Sequence, residues 1–429
     1  MPAKPAPAQV CGIGGRIGGF HVAVLWPDRI ASDMVDAAPG AQPKTRVTSV
    51  DALRGLVMII MALDHTREFF HSGATAFQPE DLARTTAILF LTRWVTHICA
   101  PVFMFTAGLG AFLWMRPGRT TAQLTHFLWK RGLWLVVLEL TVLRLALNFS
   151  YGTGLVLLTI LWALGWSMVA LGFLVRVPVR ALAVLSIAVI ALHNLADPVS
   201  ARHFGAAAWA WNLLHQPGLF SVGGVPVHVA YPLVPWIAVM AAGFCFGPIV
   251  ALDPPRRHWW MARIGVGMTL GFLVIRGINI YGDPVPWSAK IPGTTVLSFL
   301  KCTKYPPSLD FLLMTLGPAL LLMAWLDRIT LSKTNPLLVF GRVPLFYFLV
   351  HMFVIHGLAI LFALLRYGSA GFALNPILGG PANLKPFDYG YPLWVVYAVW
   401  LTVVALLYPL CLCFSRLKAR RRDWWLSYL

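Results

Sequence analysis

The densest chemistry in this chain sits in one apolar stretch, TSVDALRGLVMIIMALDHTREFFHSG. It holds Asp51, Arg54, Asp64 and His65, with Arg67, Glu68 and His71 just beyond. Ionisable groups in a segment apolar enough to cross a bilayer are costly, which makes them site candidates by default. An imidazole among carboxylates suits general acid–base or nucleophilic chemistry. Arg54 and His65 stand eleven residues apart. Helical geometry then places them within about 20° of one face and about 16 Å apart along the axis. Asp51, three residues before Arg54, can pair with it. Asp64 points about 100° away from His65 and serves a neighbouring helix or a substrate more easily than its own histidine. The competing reading has Arg54 snorkelling to an interface and His65 satisfied in the core.

Such a helix needs a bundle around it. Hydrophobic residues make up 58% of the 429 positions and charged residues 12%, against about 25% charged in soluble domains. That composition excludes a disordered chain, a coiled coil and an ordinary cytosolic enzyme. Windows of about 20 apolar residues predict ten spans, near 50–70, 86–115, 125–147, 153–175, 179–196, 229–251, 259–280, 307–326, 336–364 and 391–414. The expected fold class is therefore all-α, a polytopic membrane helical bundle of about ten transmembrane helices.

With the N-terminus inside, 23 of the 34 Lys and Arg fall on cytoplasmic segments. This is the positive-inside bias, and an even span count puts both termini in the cytoplasm. The net charge of +18 is then mainly a topology signal, and no nucleic-acid partner is expected. Residues 1–46, rich in Ala, Pro and Gly, are expected to be disordered. Residues 47–415 form the transmembrane domain, and 416–429 form a basic cytoplasmic tail anchored by Trp424 and Trp425. The longer external loops fall near 197–228, 281–306 and 366–390. The six cysteines show no metal-ligand spacing, and no metal is expected.

Other spans add polar groups. His97 follows Arg93 at a break before Pro101, where irregular backbone must line a cavity or be buried in protein; a histidine at an interfacial kink is the alternative. Glu139 and Arg144 read as a structural ion pair, or Arg144 as a ligand for phosphate or acceptor. Arg276 near the outer end of the seventh span is placed to contact a sugar. Lys301 and Lys304 suit an anionic or sugar acceptor, or lipid head groups. In the ninth span Tyr347 and His351 share a face, with Arg342 at the cytoplasmic end; an interhelical hydrogen bond is the plain alternative.

The stretches VDALRGLVMIIMALDHT, THICAPVFMFTAG and NPLLVFGRVPLFYFLVH resemble the catalytic-domain family of heparan-alpha-glucosaminide N-acetyltransferase and its bacterial relatives. The Arg54-(ten residues)-His65 arrangement is also similar to the first-helix motif of the acyltransferase-3 membrane family. The resemblance implies an integral inner-membrane acyltransferase that takes an acetyl group from cytoplasmic acetyl-CoA to an extracytoplasmic glycan or amino sugar, by N- or O-transfer. It implies His65 or His71 as the catalytic histidine; with Asp64 and His97, which the residues themselves suggest, the expected catalytic set is His65, Asp64, His71 and His97, with His65 ranked first. His71 enters because the heparan-type enzymes carry a catalytic histidine after the first span, at a longer spacing than here. Arg54, Arg119, Arg131 and Arg342, with Lys130, would hold CoA phosphates. Arg93, Arg276, Tyr347 and His351 would face the acceptor. Membrane lipids are the other expected partners, and a homodimer is left open. The rival class is a proton-coupled small-molecule transporter, which also uses broken helices and intramembrane charges.

Overall fold

The computed structural model describes residues 47–74, 76–115, 118–149, 154–289, 293–371 and 388–421, with 423 and 426. The expectation of disorder over 1–46 lies outside these residues, as do Trp424 and Trp425.

The chain opens with α1 (Thr48–Phe70), then α2 (Ala87–Thr96) and α3 (Cys99–Trp114). Next come α4 (Thr121–Leu138), a π-helical turn (Glu139–Leu143) and the short α5 (Arg144–Asn148). Strand β1 (Val156–Leu158) leads into α6 (Ile160–Leu174) and α7 (Val179–Leu192). A segment with two 3-10 turns and α8 (Ala208–Leu214) precedes the hairpin β2 (Gly218–Val222) and β3 (Val225–Val229). The remainder is helical: α9 (Leu233–Cys245), α10 (Gly247–Ala251), α11 (Pro254–Ile278), α12 (Thr295–Leu300), α13 (Leu309–Leu326), α14 (Pro336–Arg342), α15 (Pro344–Tyr367) and α16 (Leu393–Arg420).

Each of the ten apolar windows contains a helix, and seven among the described residues are long and apolar enough to cross a membrane. These are α2–α3, α7 with its 3-10 end, α9–α10, α11, α13, α15 and α16. The other three differ for physical reasons. α1 has the length but carries Asp51, Arg54, Asp64, Arg67 and Glu68. α4 is as long as α13 but carries Gln123, His126, Lys130 and Arg131. α6 has only 15 residues, because the first part of its window is β1. The structure thus departs from the all-helical expectation in one place. β1 pairs parallel with β3, and β3 pairs antiparallel with β2, giving the order β1-β3-β2. A short run such as Val156-Leu157-Leu158 cannot be told from a buried helical turn by apolarity alone. The basic tail has no break at 415, since α16 continues to Arg420.

Local chemistry sets the interruptions. Pro101 cannot donate to the preceding turn, and the α2–α3 helix breaks at His97 and Ile98. Val343 precedes Pro344 and leaves the helical region, separating α14 from α15. Thr120 and Gln123 close a capping box on α4.

α1 is the inner element, packed against α3, α13, α14, α15 and α16. Its first turn is pinned by Asp327 at the end of α13, which accepts from Ser49 Oγ (2.7 Å) and Arg257 Nε (2.8 Å) and lies 2.6 Å from His258 Nε2. α1 and α14 approach to backbone contact. A Cβ on Gly55 would meet the Leu337 carbonyl at 1.8 Å, and one on Gly341 would meet the Asp51 carbonyl at 1.7 Å. Gly341→Val should therefore force the two helices apart, at a cost of about 1–3 kcal/mol. Thermal unfolding in detergent should show a midpoint several degrees lower than wild type; an unchanged midpoint would contradict this packing.

Candidate functional site

At the His71 end of α1 the ionisable groups form one connected chain. His65 Nδ1 lies 3.0 Å from Glu68 Oε2. Glu68 Oε1 is 3.6 Å from Arg67 Nη2, which donates to Asp64 Oδ1 at 3.2 Å. Asp64 also accepts from Arg93 Nη1. Arg93 Nε donates to Glu80 Oε1 at 3.0 Å, and the same oxygen is 3.1 Å from His97 Nε2. Three carboxylates face two guanidiniums, and Lys304 on the same cavity wall supplies a third cation. Two of the carboxylates sit on α1, and the loop before α2 folds back to bring in Glu80.

Three cavities run in series from this network toward the other end of α1. The outer cavity, about 290 Å³, is lined by Asp64, His65, Glu68, Arg93, Lys304 and Tyr305, and also by His228 of β3. The middle one, about 280 Å³, holds Arg54 and Arg131 in an otherwise apolar wall. Phe103, Ile160 and Phe348 line both of these cavities and form the collar between them. The third, about 450 Å³, is basic and aromatic, with Arg119, Lys130, Arg131 and His126 beside Trp114 and Phe127. Phe127 and Arg131 belong to both the second and the third. Trp114 stacks on Phe127 with ring centroids 4.7 Å apart, and the Arg119 guanidinium lies 3.9 Å over the Trp114 ring.

The collar has its own support. Glu139, in the π turn, accepts from Thr159 N (2.8 Å), Thr159 Oγ1 (2.6 Å), Leu161 N (3.0 Å) and Trp162 N (3.1 Å). It caps the start of α6 and so fixes Ile160, where the sequence reading pointed to a pair with Arg144.

The structure brings together His65, Asp64 and Arg93 at the outer cavity, and Arg54, Arg131 and Arg119 along the other two. Arg54 donates to the Thr106 carbonyl of α3. The remaining candidates lie elsewhere. His97 is attached to the network through Glu80 but does not line the outer cavity. His71 accepts from Gly73 N at 3.0 Å and shapes the turn after α1; burial and the Arg67 charge hold its imidazole below the ordinary value, hence neutral. His351 is buried behind His65, ring centroids 5.3 Å apart, with Nδ1 against the Tyr347 and Phe348 carbonyls, and Tyr347 stacks on it. Arg342 donates to the Lys333 carbonyl and lines none of the three cavities. Arg276 is buried and donates to the carbonyls of Val285, Ser298, Phe299 and Lys301, so it holds the 281–306 segment and has no donor directed at the cavity. The site residues that sequence reasoning missed are Glu68, as the partner of His65, together with Glu80 and His228. Burial holds the His228 imidazole below its ordinary value, so it is neutral at pH 7. Away from the cavities, one group among the described residues has metal-ligand geometry: His193, Asp197 and His215.

Glu80 permits a pH test outside the spans. Burial would raise its carboxyl, but the hydrogen bond with His97 and the charge of Arg93 outweigh burial and hold it well below the ordinary 4.5. A depressed carboxylate contributes stability that is complete above the unfolded-state value and is lost as pH falls below it. Glu80→Gln should lower the unfolding midpoint at pH 7, and the gap from wild type should narrow as pH falls below about 4.5. A gap independent of pH would remove Glu80 from the charge network.

The family model described as "Heparan-alpha-glucosaminide N-acetyltransferase, catalytic" matches residues 46–281, more than half of the chain. The match takes in α1, both cavity walls formed by α3 and α4, the collar residues Phe103 and Ile160, and His228; Lys304 and α15 lie beyond it. No curated protein matches the chain. The match covers the first two of the three motif stretches and more than half of the chain, so the chain belongs to the heparan-alpha-glucosaminide N-acetyltransferase catalytic-domain family, a family of membrane acetyltransferases.

Proposed function

We propose that this protein transfers an acetyl group from acetyl-CoA, bound at the Thr48 end of the bundle, to the amine or hydroxyl of a sugar acceptor at the opposite end. The observation that carries the reading is the series of three cavities joined by shared walls, basic at one end and histidine–carboxylate at the other. Arg119, Lys130 and Arg131 suit the CoA phosphates, with no glycine-rich loop required. Trp114 and Phe127 offer faces for the adenine. The middle cavity suits the pantetheine arm, which passes Arg54 and delivers the thioester through the collar. The basic-residue bias supports a cytoplasmic Thr48 end, ten spans with both termini inside, and residence in the plasma membrane.

Chemistry follows from His65. Glu68 engages Nδ1, which leaves Nε2 to take the acceptor's proton. The freed amine or hydroxyl attacks the thioester carbonyl and forms the new C–N or C–O bond. The C–S bond breaks, and CoA leaves as the thiolate that receives the proton from His65. Lys304 is the charged donor on the cavity wall suited to the oxyanion. The carboxylates of the network stabilise the imidazolium that forms on His65.

His65→Ala should lower CoA release and acetyl transfer by at least about 100-fold, the usual contribution of a general base, without loss of folded protein. Full activity in that variant would move the chemistry to another histidine. Arg131→Ala should raise KM for acetyl-CoA and largely preserve kcat, the signature of lost ground-state binding. Solute flux in vesicles with no CoA release would favour the transporter class instead.

A further inference from the structure

A second cluster of titratable side chains stands apart from the three cavities. His193 occupies the first position of the 3-10 turn at the end of α7, Asp197 follows that turn, and His215 caps α8. One potential ligand atom from each lies within 4.8 Å of the other two. His215 Nε2 is 3.1 Å from Asp197 Oδ1, and the second Asp197 oxygen accepts from Asn194 Nδ2 at 2.7 Å. The His193 and His215 rings sit edge to face, 5.7 Å between centroids. His193 supplies an independent indication. It is 7% exposed, yet neither ring nitrogen makes a hydrogen bond of normal geometry. A buried imidazole with unused nitrogens is a cost that native structures normally relieve. The Pro307 carbonyl lies within reach of the ring and suits the ring N–H that a metal-binding histidine donates on its far side.

We infer that His193, Asp197 and His215 bind one divalent transition-metal ion of the zinc class. Two imidazoles and a carboxylate are an N₂O donor set that suits zinc, with a fourth position open to water. Tetrahedral zinc holds such donors about 3.4 Å apart, so the set closes by ångström-scale side-chain rotation and no backbone change. The ion converts three separate side chains into one joint. It ties the end of α7 to the end of α8, from which the chain enters β2 and then β3. β3 carries His228 to the outer cavity, and Asn194 Oδ1 accepts from Leu309 N at the head of α13. The joint therefore braces the wall of the outer cavity while contributing no atom to it. The sequence expectation of no metal rested on cysteine spacing, and this cluster contains no cysteine.

The test uses tag-free full-length protein in detergent, stripped with a chelator and titrated with Zn²⁺ against a chromophoric competitor. One tight equivalent per chain is expected, together with a higher unfolding midpoint when Zn²⁺ is present. Co²⁺ loading should give the visible absorption of a tetrahedral site. His193→Ala and His215→Ala should each abolish the tight equivalent and the Zn²⁺-dependent midpoint shift, and Asp197→Asn should weaken binding at least tenfold. Retention of the tight equivalent in the histidine variants would overturn the assignment. Where those variants fail to fold, wild type decides: absence of a stoichiometric equivalent means that His215 and Asp197 form only a hydrogen bond, and the inference fails.

Discussion

Placing Asp64, Arg67, Glu68, Glu80 and Arg93 inside an apolar bundle is the constraint on which the architecture depends. Each of these charges alone would be expensive away from water, and removing one partner from such a set costs several kcal/mol. The solution is mutual: each of the three carboxylates faces a guanidinium or an imidazole. This explains why α1 sits at the centre, although it is the most charged of the long helices. Arg93 and His97, four residues apart and so on one face, both reach Glu80. The network is thus a folding requirement, and under the proposed mechanism the same atoms would supply the reactivity.

Other features exist to keep space open beside that network. Glycines let α1 and α14 touch through their backbones, which fixes α1 without large side chains on that side. On the opposite side a π turn, a geometry often found at functional positions, puts Glu139 where it can clamp the first residues of α6. The small sheet hands His228 and Tyr231 to the outer cavity and, through β1, orients Thr159 and Ile160.

Much of the site was legible from the first helix. The spacing of Arg54 and His65 anticipates their places on consecutive cavities. The helical angle also correctly sends Asp64 to a neighbouring helix, where it meets Arg93. Glu68 follows from the ordinary three-residue spacing to His65, a signal present in the sequence but not used. Glu80 and His228 could not be read the same way, because a loop and a strand bring them in and no local period links either to His65. Arg276 shows the opposite failure. A lone arginine near a span end resembles a ligand, and only the tertiary structure reveals four carbonyls already using its donors.

The collar of Phe103, Ile160 and Phe348 has a consequence for the membrane itself. A catalyst fed from opposite faces of a bilayer encloses a nearly continuous hole, and a hole that conducts would discharge the ion gradients on which the cell runs. None of the three collar side chains carries a charge or a polar atom. A hydrated ion meeting that ring must shed water without compensation, and apolar constrictions block conduction in this way. A slender uncharged acyl arm faces no such barrier. Under the proposed transfer, the collar would therefore act as electrical insulation that a chemical group can still cross, so that matter passes where current does not.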